Sequence, residues 1–276
     1  MAAANPVAQH YGSAGIAERA LAALRAANGA DTPVTPDALA PIDHFHGRGV
    51  LATEELARRL DPQPGEHLLD IGSGIGGPAR WIAAHYRVHV TGVDLTPEFC
   101  AGARALNAAC GLAELVTIIE GSALDLPVPD AAFDRAYSQN VIMNIADKPR
   151  FYREAWRALK PGGLLALSNV CAGPAGPVYF PVPWAATPAT SFLATPAETR
   201  ADLEAAGFAI VSFHDSSDAL RPGLLRERER AEREPTPPLG IHLILGDRIR
   251  EMRLNSVQSQ LDDRTRTIEA LVRKPG

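Results

Sequence analysis

Leu68-Leu69-Asp70-Ile71-Gly72-Ser73-Gly74-Ile75-Gly76-Gly77 sets a short apolar run, beginning at His67, directly before a cluster of glycines. The run has the character of a buried strand. The glycines belong where backbone must turn sharply and approach a ligand with no Cβ in the way. Pro78 to Tyr86 then suits a helix with proline near its first turn, and Val88 to Val93 reads as the next strand. Asp94 ends that strand 20 positions after Gly74, where a carboxylate can accept hydrogen bonds from both ribose hydroxyls of an adenosine. A glycine loop alone is weak evidence; a glycine loop between strand and helix, with that acid beyond it, points to an adenosine cofactor.

Outward from this unit the alternation continues. Pro97 to Ala109 reads as a helix with Gly111 beyond its end, Leu115 to Ile119 as a strand, and Phe133 to Tyr137 as a fourth strand. Lys148 to Leu159 follows as a helix and Gly163 to Asn169 as a fifth strand. Thr195 to Ala206 is a capped helix, and Phe208 to Phe213 and Thr267 to Val272 are the last two strands. The expected class is α/β, a Rossmann-like, seven-stranded, mostly parallel sheet with helices on both faces. Before it, Ala14 to Asn28 carries Ile16, Ala20, Leu24 and Ala27 near helical spacing, Asp31 to Pro41 reads as a proline-containing linker, and Thr53 to Leu60 as a short helix. Residues 1–60 are therefore expected to form an N-terminal helical lid and residues 61–276 the cofactor-binding domain. A proline-rich insert at 173–196 holds six prolines and four aromatics, a composition that forbids long regular structure. Arg226 to Glu234 alternates in charge as a solvated helix does.

Charge separates the two cofactors that fit such a loop. A dinucleotide sets an anionic pyrophosphate over backbone N–H donors at the helix start. Here Asp70 stands at the entrance and Pro78 removes a donor. S-adenosylmethionine (SAM) carries a sulfonium and an ammonium instead, which a nearby carboxylate helps to hold.

The stretches LLDIGSGIGGPARWIA, VTGVDLTPEFCAGARALN, EGSALDLPVPDAAFD and ALKPGGLLALSNV resemble the successive motifs of the class I SAM-dependent methyltransferases, in family order, over about 100 of the 276 positions. The flanks HYGSAGIAERALAALRAA, HFHGRGVLATEELA, QNVIMNIADK, YFPVPWA and SFLATP resemble a narrower group of small-molecule enzymes that includes glycine, sarcosine and dimethylglycine N-methyltransferases. The resemblance implies that the last strand runs antiparallel and that S-adenosylhomocysteine is the product. It implies that Asp70, Gly72, Ser73 and Gly74 line the methionine part of SAM, that Asp94 takes the ribose and that Leu95 covers the adenine. Ser122, Ala123 and Leu124 would frame the adenine edge, and Tyr11 would close over the cofactor. Relatives usually carry Asp at the position of Ser122; a hydroxyl accepts from an adenine amino group less strongly, a departure of roughly 1 kcal/mol.

Methyl transfer from a sulfonium is an in-line displacement in which the cofactor brings the reactive group. The protein aligns acceptor and methyl and excludes water. The acceptor pocket of such a sheet lies beyond the carboxyl ends of its strands, where Gln139 and Asn140 are delivered. Many relatives carry a Gln-His pair there. Asn140 departs from it and cannot accept a proton near neutral pH, so Gln139 and Asn140 are expected to orient the acceptor by hydrogen bonds. His46 is a candidate over the active site, against satisfied packing. With His44 it supplies only two ligands where a closed metal site needs four, and no metal is expected. The insert's aromatics either face an alkylated amine or form a small core of their own.

A net charge of -5 disfavours a nucleic-acid partner. Scattered Cys100, Cys110 and Cys171, with no signal peptide or membrane span in view, point to a reducing, cytoplasmic setting. The expected partner is a small-molecule methyl acceptor, with an amine favoured and O- or C-acceptors open, for a monomer or homodimer. An NAD-dependent oxidoreductase and a non-catalytic SAM-binding module stay as alternatives.

Overall fold

The structure, a computed structural model, describes residues 15–235 and 237–276. Seven strands form one sheet in the order β3-β2-β1-β4-β5-β7-β6: β1 His67–Ile71, β2 His89–Asp94, β3 Val116–Glu120, β4 Phe133–Gln139, β5 Leu159–Ala172, β6 Ala209–Asp215 and β7 Thr265–Arg273. The first five run parallel, and β7 lies antiparallel between β5 and β6. The chain thus reverses its lateral direction between β1 and β4, where an open α/β sheet leaves a crevice at the strand ends.

Alternating side chains of each strand feed two cores. Leu69 and Ile71 of β1 join Phe133, Leu165, Leu167, Phe151 and Tyr152 on one face. Leu68 turns the other way and packs with Val90, Ile118, Tyr137, Trp81 and Ile82. Burying a Leu, Ile or Phe side chain contributes roughly 1.5–3 kcal/mol each, so a one-residue slip of β1 would expose what both faces depend on. Helices Val50–Leu60 (α3), Gly77–Tyr86 (α4) and Pro97–Ala109 (α5) contribute to the second core; Lys148–Ala158 (α6) and Pro196–Ala205 (α7) contribute to the first. Thr195 caps α7 through a reciprocal capping box with Glu198.

The N-terminal helix Ile16–Asn28 (α1) buries Ile16, Ala20 and Leu24 of the four residues whose spacing predicts it, while Ala27, in its last turn, is exposed. The stretch 31–41, expected to be a linker, instead leads into helix Pro36–Asp43 (α2). Thr35 Oγ1 accepts the Ala38 N–H at 3.1 Å and Pro36 occupies the first turn, so these residues start a helix rather than prevent one. Leu39 and Ile42 then bury against α1 and against Ile75 of the glycine loop. The charged run at 226–234 is the end of a longer helix, Ser217–Arg233 (α8), and a further helix, Ile249–Leu261 (α10), follows the short turn His242–Leu245 (α9).

A buried ion pair holds α2 in place. The Arg80 guanidinium of α4 donates to Asp43 Oδ1 at 2.6 Å and to Asn107 Oδ1 at 2.9 Å, with both side chains of the pair inaccessible to solvent. Gly77 makes the approach possible, because a Cβ there would lie 2.3 Å from the Asp43 carbonyl oxygen. Arg80→Leu leaves the Asp43 carboxylate buried without its partner and is expected to destabilise the fold by about 3–5 kcal/mol in urea unfolding. The double variant Arg80→Leu/Asp43→Asn should recover a large part of that loss.

Candidate active site

The loop after β1 is closed by its own hydrogen bonds. Gly72 and Ser73 both donate their backbone N–H to the Val93 carbonyl, at 2.8 and 3.1 Å, and Gly76 donates to Ser73 at 2.8 Å. Gly74 N–H is taken by Asp94 Oδ2 at 2.8 Å, while Asp94 Oδ1 accepts the Thr96 N–H at 2.9 Å. Four donors that a diphosphate would require are thus already used. Gly72 is required by its backbone, at φ 83°, and by Val141, whose side chain fills the space a Cβ would take; this constraint comes from packing rather than from a ligand.

Asp70 lies beneath the loop. Burial pushes its carboxyl up to about 8; the neighbouring Tyr137 hydroxyl opposes the shift and the charge of Asp94 adds to it. Its Oδ2 has no hydrogen-bond partner, and neither has Ser73 Oγ. Asp94 is also shifted upward by burial, against hydrogen bonds from the Thr96, Gly74 and Leu95 backbones and the Thr96 hydroxyl. Asp70 thus keeps an oxygen free for a ligand, whereas both oxygens of Asp94 already accept a backbone N–H. Buried, unpartnered acceptors suit a ligand that brings donors and positive charge.

These groups line a cavity of about 490 Å³, within the usual size of a small-molecule site. Gly72, Ser73, Gly74, Leu95, Ser122, Ala123, Leu124, Gln139, Asn140 and His46 all line it with Asp70 and Asp94. Ser122 Oγ accepts the Leu124 N–H at 3.1 Å, which shapes that wall. Tyr11 lies outside the described residues.

Opposite the glycine loop a polar cluster joins three segments. The Thr53 hydroxyl, fully buried on α3, donates to Gln139 Oε1 at 3.1 Å and lies 3.0 Å from His44 Nδ1 and 3.3 Å from His46 Nε2. Burial, more than the nearby charges, lowers His44 to about 3 and His46 to about 4. Both imidazoles are neutral at pH 7 and can donate to Thr53, leaving His46 Nδ1 unpartnered. Asn140 follows in the left-handed region at φ 53°, which Asn tolerates better than other side chains. Its backbone N–H is held by the Ser168 carbonyl at 2.8 Å.

The remaining wall comes from the insert and from Ile142–Asn144 after β4. Asn144 Nδ2 donates to the Trp184 and Thr190 carbonyls, each at 2.8 Å, and the Phe192 N–H donates to the Met143 carbonyl at 2.7 Å. The four insert aromatics divide. Trp184 packs in a small core with Met143 and Val182, and Phe180 sits against it. Tyr179 stacks under Arg264 outside the cavity, while Phe192 and Trp184 line it. Thr53 and Asp43, which the sequence reading passed over, are thus the organisers of the site's α-helical side. Their sequence context, ordinary helical polar residues, carries no motif that would single them out.

The sheet order, with its antiparallel β7, and the N-terminal helices make this a Rossmann-like methyltransferase fold. Residues 69–167 match the family model described as Methyltransferase domain. Phosphoethanolamine N-methyltransferase 1 of Arabidopsis thaliana is 32% identical over 196 residues, 67% of this chain and 37% of that protein. Among solved structures, the [4+2]-cyclase SpnF is 28% identical with TM-score 0.64, over 82% of this chain and 81% of its own. Phosphoethanolamine N-methyltransferase 2 of Haemonchus contortus, bound to phosphomonomethylethanolamine and S-adenosylhomocysteine, has TM-score 0.69 at 23% identity, over 83% of this chain and 53% of its own. The chain spans little more than a third of the length of the first of these relatives.

Thr53→Val keeps the shape but removes the hydroxyl, leaving Gln139 and both imidazoles without a partner. It is expected to cost roughly 1–3 kcal/mol of stability, with Thr53→Ser retaining most of it; chemical unfolding of the three proteins measures this.

Proposed function

We propose that the chain is a SAM-dependent methyltransferase acting on a small molecule. The observation that carries this reading is the state of the loop after β1: the N–H donors of Gly72, Ser73, Gly74 and Gly76 are spent on Val93, Asp94 and Ser73, while Asp70 Oδ2 and Ser73 Oγ stay without a partner. That arrangement suits a cationic adenosyl cofactor and opposes an anionic dinucleotide, which sets aside the NAD-dependent oxidoreductase.

SAM would supply a methyl group made electrophilic by its sulfonium. Asp94 would accept from the ribose hydroxyls, Asp70, Gly72, Ser73 and Gly74 would hold the methionine end, and Leu95, Ser122, Ala123 and Leu124 would frame the adenine. Gln139 and Asn140 would orient the acceptor through amide donors and acceptors. His46, neutral and with Nδ1 unpartnered, is the candidate to receive a proton from a hydroxyl acceptor; an amine needs only to arrive unprotonated. Residues 1–60 and the insert 173–196 would act as the lid that excludes water. An amine acceptor is favoured because the first relative is an N-methyltransferase by name. No helix of the described residues is long and apolar enough to cross a membrane. We place the protein in the cytoplasm as a monomer or homodimer, without a nucleic-acid partner.

The cyclase among the similar structures favours a second reading, in which the cavity transforms its substrate without methyl transfer. A screen for S-adenosylhomocysteine release across small amines, phenols and carboxylic acids separates the two: the first reading requires release with at least one acceptor, the second requires substrate loss without it.

Two binding measurements test the cofactor residues. Asp94→Ala should weaken SAM at least tenfold in calorimetry, the scale of one charge-assisted bond. Below about pH 8 the Asp70 carboxyl holds its proton, and a cation must displace it. SAM affinity should therefore rise from pH 6 to pH 8, by at most tenfold per unit, and level off above. Asp70→Asn should bind more weakly and flatten that rise.

A further inference from the structure

Resting on the methyltransferase reading, we infer that the acceptor has a largely apolar body and bears no anionic group, so that phosphate- and carboxylate-bearing acceptors are excluded. The cavity has two unlike halves. Its carboxylates, Asp43, Asp70 and Asp94, belong to the glycine-loop side: Asp70 and Asp94 bracket the loop, and Asp43 packs on Gly77. The half beyond β4 and β5 is lined by Met143, Ile145, Val170, Trp184 and Phe192, with the neutral polar groups of Gln139, Asn140, Asn144 and Thr190 among them and a neutral His46 near the strand ends.

Among the described residues no lysine or arginine lines the cavity. Residues 1–14 contain neither residue in sequence. The ammonium of Lys148 is near in the fold but committed to the Ile145 and Phe192 carbonyls, and it is not a lining group. The Arg80 guanidinium is engaged with Asp43 and Asn107. A phosphate brought to this half would lose its hydration and meet no cationic side chain, a cost that buried anions escape only by pairing. An apolar body, by contrast, removes the facing Met, Ile, Trp and Phe surfaces from water. This sets the chain apart from the phosphoethanolamine enzymes it is similar to, whose named substrate is a phosphomonoester.

The test uses three probes that share one tail. S-adenosylhomocysteine is first titrated into the full chain; failure to bind removes the methyltransferase reading itself. The loaded protein is then titrated with 1-decanol, decanoate and decyl phosphate, each below its aggregation concentration. The expected result is decanol binding at least tenfold tighter than either anion. Equal or tighter binding of an anion, or no binding of decanol, overturns the inference while leaving the cofactor reading intact. Two gain-of-charge variants, Met143→Arg inside the cavity and Phe192→Arg at its half-exposed rim, are made in parallel so that one folded protein suffices. A folded variant should bind decanoate at least fivefold tighter than the parent does; no gain in either means the tails sit elsewhere and overturns the assignment of this half.

Discussion

The Asp94 carboxylate accepts one backbone N–H from the loop after β1 and another from the turn after β2. These two turns are the edges of the crevice, and the clasp adds to the two bonds by which Gly72 and Ser73 hold the Val93 carbonyl. Charge-assisted bonds to N–H groups are among the stronger ones a fold can make, and they fix the loop before any ligand arrives. A residue expected to touch a ribose therefore also shapes the place where the ribose would lie. The two roles share one side chain because a carboxylate has more acceptor positions than the clasp consumes.

The same economy appears on the opposite wall. One hydroxyl, Thr53, ties a helix, a histidine-bearing turn and the end of β4 together. Arg80 does the corresponding work for α2, with a buried pair whose partners are each costly to lose alone. The cavity is thus assembled from elements distant in sequence, and each junction is a buried polar contact rather than apolar packing alone. Apolar packing tolerates small shifts; a hydrogen-bonded junction loses most of its value when displaced by an ångström.

The strands and the glycine loop were readable because their signals are local. His67–Ile71 is a short apolar run ending in glycine, and strand-helix alternation repeats it along the chain. The antiparallel β7 came only through resemblance, since no local feature distinguishes it from its neighbours. Helix α2 was missed because proline at 36 and 41 reads as a breaker, whereas Thr35 turns the first of them into a helix start. Residues 68–140 supply most of the cavity's expected lining, and each named residue there does line it. Asp43 and Thr53 were invisible for a different reason: their importance comes from long-range partners, Arg80 and Gln139, which no window of sequence brings together. The insert's aromatics were legible as a group but not individually, because packing sends Tyr179 outward and Trp184 inward.

Part of the fold's grip on its insert is exerted on backbone atoms. Asn144 and Lys148 reach the carbonyls of Trp184, Thr190 and Phe192, and every amino acid offers a carbonyl. Drift among the side chains of this segment would leave these hydrogen bonds in place while changing the contour of the chamber it roofs. Selection could in this way retune which molecules are admitted without rebuilding the scaffold beneath, a separation of attachment from recognition that favours rapid diversification.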